Sequence, residues 1–485
     1  MARVVILGAG ISGHTAALHL RRMLPRKHEV LVVTPNSKWN WIPSNIWVGV
    51  GKMTSKQVTF PLAPVYRRKG ITYVQAKAVA IRPEGSAADE KPTVDVVHTS
   101  PERAGEEESI TYDYLVNATG PKLNFGATPG LGPDGGHSLS VCTAGHAEQT
   151  AAALQEVIAK LKAGQRQRLI IGMGHGMCTC EGAAFEYTFN VEHELRLAGV
   201  RDLAEVVYLT NEYELGDFGV GGMTFGMMGF VTSSQLWTES LFAERGVKAV
   251  LRAHVERVEP GKVYYETLDG KHEALEFDFA MLLPPFRGAD LVAYDRSGAD
   301  ISDRLFNPGG FMKVDADYAP KPFEEWRAED WPKTYTTAYP NVFAIGIAFA
   351  PPHQISQPRK STNGTVIAPA PPRTGMPSGI MGRIVAKSIS DMVRKGATGP
   401  THHASMAEMG AACIASAGHG HRTGTAAAMT MYPIVPDFQK FPQTGRNLAD
   451  TYGELGLGAH WTKHLLHFMF IYKAKALPGW SLIPE

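Results

Sequence analysis

The chain has 485 residues, 44% of them hydrophobic and 20% charged, with a net charge of +1. That length exceeds one core and predicts two or three domains, and so near-neutral a balance offers nucleic acid no footprint. Four cysteines cannot staple a chain of this size, so those that matter are expected to act chemically.

In chain order, the opening MARVVILGAG enters a strand at once and leaves no room for a cleavable leader. RVVILGAGISGHTAALHLRR then reads as strand, Gly-rich turn and helix, a dinucleotide cradle. Gly8 permits the tight turn, Gly10 lets a pyrophosphate approach the backbone, Ser12 opens the helix and Gly13 lets it pack on the strand. The second strand, HEVLVVTPN, ends without the acid that usually binds a ribose, which leaves Thr34 or Asn36 for that role. ITYVQAKAVAI is a strand expected to bring the backbone of Ala78 and Val79 near an adenine. YDYLVNATGPK ends in Ala118-Thr119-Gly120, and YPNVFAIGIA ends at Gly346.

SVCTAGHAEQ predicts a helix with Thr143 as N-cap. Cys142 then faces the positive end of the helix dipole, which favours its thiolate. RLIIGMGHGMCTCEGAAFEYTFNVEHELR followed by AEVVYLTNEYELG reads as strand, turn, helix and strand. Its glycines 172, 174 and 176 are crowded by His175 and Met177, so this is a degenerate nicotinamide unit, with Glu212 the candidate ribose reader. Cys178 and Cys180 read as packed thiols at a helix start, and Cys413 lies in the small-residue stretch MAEMGAACIASAGHGH. GHGHRTG reads as a polar loop, and no metal site is expected. No apolar run is long enough to span a membrane. The tail from His460 puts Trp461, Leu465, Phe468, Met469 and Tyr472 on one face and Lys463, His467, Lys473 and Lys475 mostly elsewhere, the pattern of a basic amphipathic helix lying in one anionic leaflet.

The 71–81, 112–122 and 339–348 segments, in this order, resemble those of the two-dinucleotide-binding-domain flavoproteins. The resemblance implies an α/β fold of two Rossmann-like domains, the FAD domain split by an inserted NAD-like one, plus a C-terminal membrane-facing amphipathic segment. The expected parts are 1–141, 142–285, 286–400 and 401–485. It implies FAD held by Gly8, Gly10, Ser12, Gly13, Thr34, Asn36, Ala78, Val79, Ala118, Thr119, Gly120, Gly346, Arg373, Thr374 and Gly375.

More narrowly, GAGISG, PSNIWVGVG, ATGPKLNFG, SVCTAGHAE, EGAAFEY, RLFNPGGFMKVD, NVFAIGIA, PAPPRTGMPSG and AEMGAACIASAG resemble, in order, the motifs of the sulfide:quinone oxidoreductase family and its flavocytochrome sulfide dehydrogenase cousins. The resemblance covers nearly the whole chain. It implies that Cys142 and Cys413 form the redox-active pair over the flavin, that Glu186 is a candidate proton handler, and that the helix after Arg373-Thr374-Gly375 points at the flavin N1/O2 edge. Sulfide is the implied substrate and a lipid quinone the acceptor, at a membrane surface reached through the tail, with Tyr432, Phe438, Phe470 and Trp480 as wall residues. Self-association stays open. No third cysteine sits on a matching motif, which leaves covalent flavin attachment open, and an arginine replaces the lysine many members carry before Thr374. The alternatives are a type-II NADH:quinone oxidoreductase, a sulfide dehydrogenase subunit donating to a cytochrome, and a non-catalytic flavin-binding anchor.

Overall fold

Short apolar runs that are buried on both faces build two parallel sheets. The computed structural model of the chain describes every residue except Ala88, Met228, Arg373 and Thr374. In the first sheet the parallel strands run in the order Val342–Ala344, Tyr114–Asn117, Arg3–Leu7, Glu29–Thr34 and Thr72–Arg82. The antiparallel strands Thr93–His98 and Glu107–Thr111 extend it. Val4 to Leu7 are fully buried because helices cover the sheet. The helices Ile11–Met23 and Gly375–Lys395 pack closely, since Gly382 leaves no side chain between itself and the Ser12 carbonyl.

A second parallel sheet has the order Lys248–Val250, Ala204–Leu209, Gln167–Met173 and Phe279–Leu283. Beside it lies the antiparallel sheet Ala253–Glu259, Lys262–Thr267 and His272–Glu276, which shares a small core of Leu131, Ile170, Val255 and Val263.

A third sheet crosses the expected boundaries in sequence. The hairpin Thr224–Met227 and Phe230–Ser233, inside the stretch expected to be the inserted unit, joins Tyr452–Gly456, Thr425–Met431 and Ala411–Ala417. The strands Thr224–Met227 and Phe230–Ser233 thus build the C-terminal region in space.

The tail helix Leu457–Ala474 is amphipathic with its polar side inward. Trp461, Leu465, Phe468 and Tyr472 are exposed, while Lys463, His467 and Lys473 are buried. The expected basic face against anionic lipid is therefore corrected: those side chains find partners in the protein. Lys463 pairs with Glu186, Lys473 with Glu485 at 2.7 Å, and His467 with the Ser44 hydroxyl at 2.8 Å. Among the described residues no helix is long and apolar enough to cross a membrane.

Candidate functional site

The register of the first sheet aligns its carboxyl ends. Leu7 stands opposite Val33 and Asn117, and Asn117 opposite Ala344, so Gly8, Thr34, Ala118 and the Ile345-Gly346 pair follow side by side along one edge. Ligands of open parallel sheets bind at such an edge. Gly8 has φ +96°, and a Cβ there would run into the Ala118 carbonyl. Gly10 is the converse: an added Cβ would meet nothing within 4 Å, so the helix N-terminus behind it faces open space. Gly13 is packed so closely on Gly8 and Ala118 that no side chain would fit. Ser12 is buried, and Gly346 is close enough to its hydroxyl that a side chain at 346 would collide with it. The Thr119 amide and hydroxyl donate to Asn117 Oδ1 at 3.2 and 2.8 Å, which sets the turn into Gly120.

Thr34 is buried and Asn36 exposed, with the Asn36 carbonyl accepting from the Tyr73 hydroxyl at 2.9 Å. A bulge between Ala78 and Ala80 puts Val79 out of register. On its other side the strand pairs with Thr34 through Gln75 and with Val292 through Ala80, leaving the stretch around Ala78 and Val79 without a strand neighbour among the described residues. Gly375 begins the second helix against Ile11, so two helix N-termini meet over the same space. Arg373 and Thr374 lie outside the described residues. An open glycine cradle, two converging helix dipoles and a free backbone edge suit a pyrophosphate with an adenine, and these residues fit FAD.

A second constellation surrounds the helix Glu181–Leu197. Thr143 caps the helix Ala144–Lys162, its hydroxyl accepting from the His146 amide at 3.1 Å. Desolvation pushes the Cys142 thiol up to about 11, in the direction opposite to the helix dipole, with the Ser140 hydrogen bond lowering it. The expected thiolate is thereby corrected to a neutral thiol. Cys142 is an electrostatic neighbour of the fully buried Cys178. Cys413, on the strand Ala411–Ala417, has its Sγ 3.2 Å from where a Gly182 side chain would begin. The stretch Cys178–Gly182 thus neighbours both sulfurs, and no disulfide joins any of the four cysteines.

Glu186 follows one helical turn after Gly182. Its Oε1 accepts from the Ser416 amide at 3.0 Å and hydroxyl at 2.6 Å, and forms a buried ion pair with Lys463. Lys463 Nζ also donates to the Ile414 carbonyl at 3.1 Å. Burial pushes the Cys413 thiol up to about 11, Glu186 adds to that, and Lys463 opposes it. Nothing local in the sequence marks Lys463 as a partner of Glu186, because 277 residues separate them.

The glycine turn of the second sheet is filled from within the protein. A side chain at Gly174 would begin 2.5 Å from Leu131, and one at Gly176 2.8 Å from His254 Nδ1 and 2.9 Å from the Val366 carbonyl. The Ala368 and Ala370 amides donate to the carbonyls of Gly176 and Cys178 at 2.8 and 2.9 Å. Glu212 is buried and accepts from Tyr208 at 2.9 Å, Thr210 at 3.0 Å and the Phe218 amide at 2.9 Å, with burial raising its carboxyl to about 7. It faces the core and not a ribose, which corrects its expected role.

An apolar pocket opens between the first helix and the tail. Trp39, Trp41, Phe470 and Trp480 line it, with His14, Lys473 and Glu485 among its polar walls. Trp41 stacks on Phe470 at 5.0 Å. Of the four expected wall residues, Phe470 and Trp480 are here. Tyr432 and Phe438 are not: Tyr432 follows the strand Thr425–Met431 and Phe438 is exposed, both on the third-sheet side of the molecule.

The profile of the pyridine nucleotide-disulphide oxidoreductase family matches residues 2–348. The sulfide-quinone reductase of Aquifex aeolicus is 28% identical over 472 residues, covering 97% of this chain and 91% of that protein. The X-ray structure of the sulfide:quinone oxidoreductase from Aquifex aeolicus matches with a TM-score of 0.74 at 26% identity, over 98% of this chain and 92% of that one. The structure of NDH2 from Plasmodium falciparum in complex with NADH shares the fold, with a TM-score of 0.63 at 12% identity over 98% of this chain and 96% of that one. With its nucleotide cradle inside a profile match that spans more than half its length, the chain belongs to the pyridine nucleotide-disulphide oxidoreductase family and is an FAD-dependent oxidoreductase.

Proposed function

We propose that the protein oxidises hydrogen sulfide to sulfane sulfur at Cys142 and Cys413 and passes the electron pair through FAD to a membrane quinone. The observation that carries this reading is that two half-buried thiols, Cys142 and Cys413, both neighbour the stretch Cys178–Gly182, in a chain that resembles the Aquifex sulfide-quinone reductase along 97% of its length. The glycines at 8, 10, 13, 120, 346 and 375, with Ser12, Thr34, Asn36, Ala78, Val79, Ala118 and Thr119, would hold FAD. Bound there, FAD supplies a two-electron acceptor that can later release its electrons to a quinone.

Hydrosulfide attacks a disulfide linking Cys142 and Cys413; that S–S bond breaks, a new one forms to the incoming sulfur, and one cysteine leaves as thiolate. Desolvation makes the thiolate costly at both cysteines, and the nearby positive groups bias where it forms. At Cys142 it is favoured by the N-terminus of Ala144–Lys162, and at Cys413 by Lys463. A second sulfide, or a growing chain, then takes the sulfane sulfur away as a persulfide or polysulfide, which leaves both cysteines reduced, and the pair would close to a disulfide again by giving its two electrons to bound FAD.

Trp39, Trp41 and Phe470 form, beside Trp480, a stacked aromatic wall of the kind a planar quinone ring would pack against, but the cavity they enclose, about 20 Å³, holds about one water, so these rings would have to part to admit it. The exposed stripe Trp461, Leu465, Phe468 and Tyr472 on the same helix as Phe470 supports docking into one leaflet, and thus a lipid acceptor over a soluble cytochrome. The filled glycine turn argues against NADH as donor.

Anaerobic sulfide and NADH, added separately to the holoprotein, test the reading through flavin absorbance near ~450 nm. Sulfide is expected to bleach the flavin and NADH to leave it oxidised, and Cys142→Ser and Cys413→Ser each to abolish bleaching. Bleaching by NADH alone, or unimpaired bleaching in both variants, overturns it.

A further inference from the structure

The inward face of the tail helix carries more polarity than its ion pairs use. The His464 ring lies 4.5 Å from His421, 4.8 Å from His460, 4.9 Å from His419 and 4.6 Å from Trp47. His460 is fully buried, and the carbonyls of His419 and Gly420 approach it without hydrogen-bond geometry, so neither ring nitrogen is bonded among the described residues. His464 Nδ1, His419 Nε2 and Trp47 Nε1 are likewise buried and unbonded. Five such atoms around one cluster call for ordered water, which needs two to four polar partners.

The cluster has two distinct ends. At the inner end, Lys463 Nζ lies 5.5 Å from the Trp47 ring and pairs with Glu186, the acid that Cys413 senses. At the outer end, His421 is exposed. The rings between are neutral, because burial lowers the pKa of His419, His460 and His464, that of His464 to about 4. The charges facing them are cationic, Lys463 toward His460 and Lys52 toward His419. A neutral imidazole offers one donor and one acceptor and so passes a proton without holding it.

We propose that Glu186, ordered water held by His419, His460 and His464, and exposed His421 form a proton exit from the cysteine chamber to the surface. This rests on the sulfide-oxidation reading. Each hydrogen sulfide molecule that becomes sulfane sulfur gives up two electrons and two protons. The electron pair leaves for the flavin with one proton, and the other must cross a wall that burial has otherwise made apolar. Glu186 receives it beside Cys413, and the water and imidazoles carry it out.

The test mixes oxidised holoenzyme with sulfide below neutral pH, where dissolved sulfide is mainly the undissociated, neutral molecule, in weakly buffered solution with an indicator dye. Flavin bleaching and the appearance of the proton are followed together. In the wild type the two signals keep pace. In His464→Leu and His421→Ala the proton appears about tenfold or more slowly, and added imidazole restores the rate in His421→Ala. Should His464→Leu fail to fold, the surface variant decides. Prompt proton release in the variants, or a lag that imidazole leaves unchanged, overturns the path while leaving sulfide oxidation standing. A wild type that sulfide does not bleach overturns both.

Discussion

Gly8 and Gly10 belong to one motif, and the structure separates what each does. Gly8 holds a positive φ against the Ala118 carbonyl, so Gly8→Ala is expected to destabilise the fold by about 2 kcal/mol or more. Gly10 has φ −70° and ψ −169°, which any residue adopts, and open space at its Cβ. Gly10→Ala should therefore leave urea unfolding of the FAD-free chain within about 1 kcal/mol of wild type while weakening FAD binding about tenfold or more, read by flavin fluorescence titration. The thiols make a second residue-scale prediction. With Cys142 and Cys413 both pushed up to about 11, only the rare thiolate reacts near neutrality. Iodoacetamide labelling of the reduced protein, followed by mass spectrometry of each peptide, should accelerate about tenfold per pH unit from ~7 to ~10 at both sites. A plateau by about pH 8 at either cysteine would show that the helix dipole outweighs burial there.

At the scale of the element, the tail helix is the instructive case. Its period places Trp461, Leu465, Phe468 and Tyr472 on one face, and that face is exposed as the pattern implies. What the pattern leaves open is which face the protein takes for itself. The polar face is buried because Glu186, Glu485 and Ser44 wait there for Lys463, Lys473 and His467. The proposed docking into one leaflet should then depend on apolar contact and hardly on lipid charge. Leu465→Glu and Phe468→Glu are each expected to weaken flotation with lipid vesicles about tenfold or more, equally for neutral and anionic vesicles, since burying such a side chain contributes roughly 2 kcal/mol. Strong preference of the wild type for anionic vesicles would contradict this orientation. The second glycine turn shows the same limit. Its GMGHGM sequence marks it as crowded, but the segment 366–371 that closes it comes from far along the chain, Thr179 and Ala370 being 191 residues apart.

Across the whole molecule, buried polar contacts join regions remote in sequence. The Lys463–Glu186 pair fastens the tail to the helix Glu181–Leu197. Buried Arg446 donates to the carbonyls of Val220, Gly222, Pro433 and Ile434, tying the 224–233 hairpin's approach to the C-terminal sheet. Removing one member of a buried pair strands the other charge. Lys463→Met is thus expected to lower stability by about 3–5 kcal/mol in urea unfolding, and Glu186→Gln combined with Lys463→Met to recover much of that loss. A double-variant loss equal to the sum of the two single losses would mean that the two charges do not depend on each other.

The sequence by itself determined the elements whose physics is local. Val4–Leu7 with its glycine turn, Thr143 as a cap, and the apolar stripe of the tail each follow from spacing and backbone chemistry within one or two turns. Resemblance to a family singled out Phe470, Trp480, Cys142 and Cys413 for their roles, and the structure sets the first two beside one small cavity and both cysteines beside the stretch Cys178–Gly182. The assembled interior alone set what Lys463 pairs with, which face of the tail is inward, what fills the second turn, and the desolvation that raises the Cys142 thiol. Each of these depends on burial and on partners hundreds of residues away, and desolvation and charge pairing are properties of the assembled interior that no local window of sequence contains.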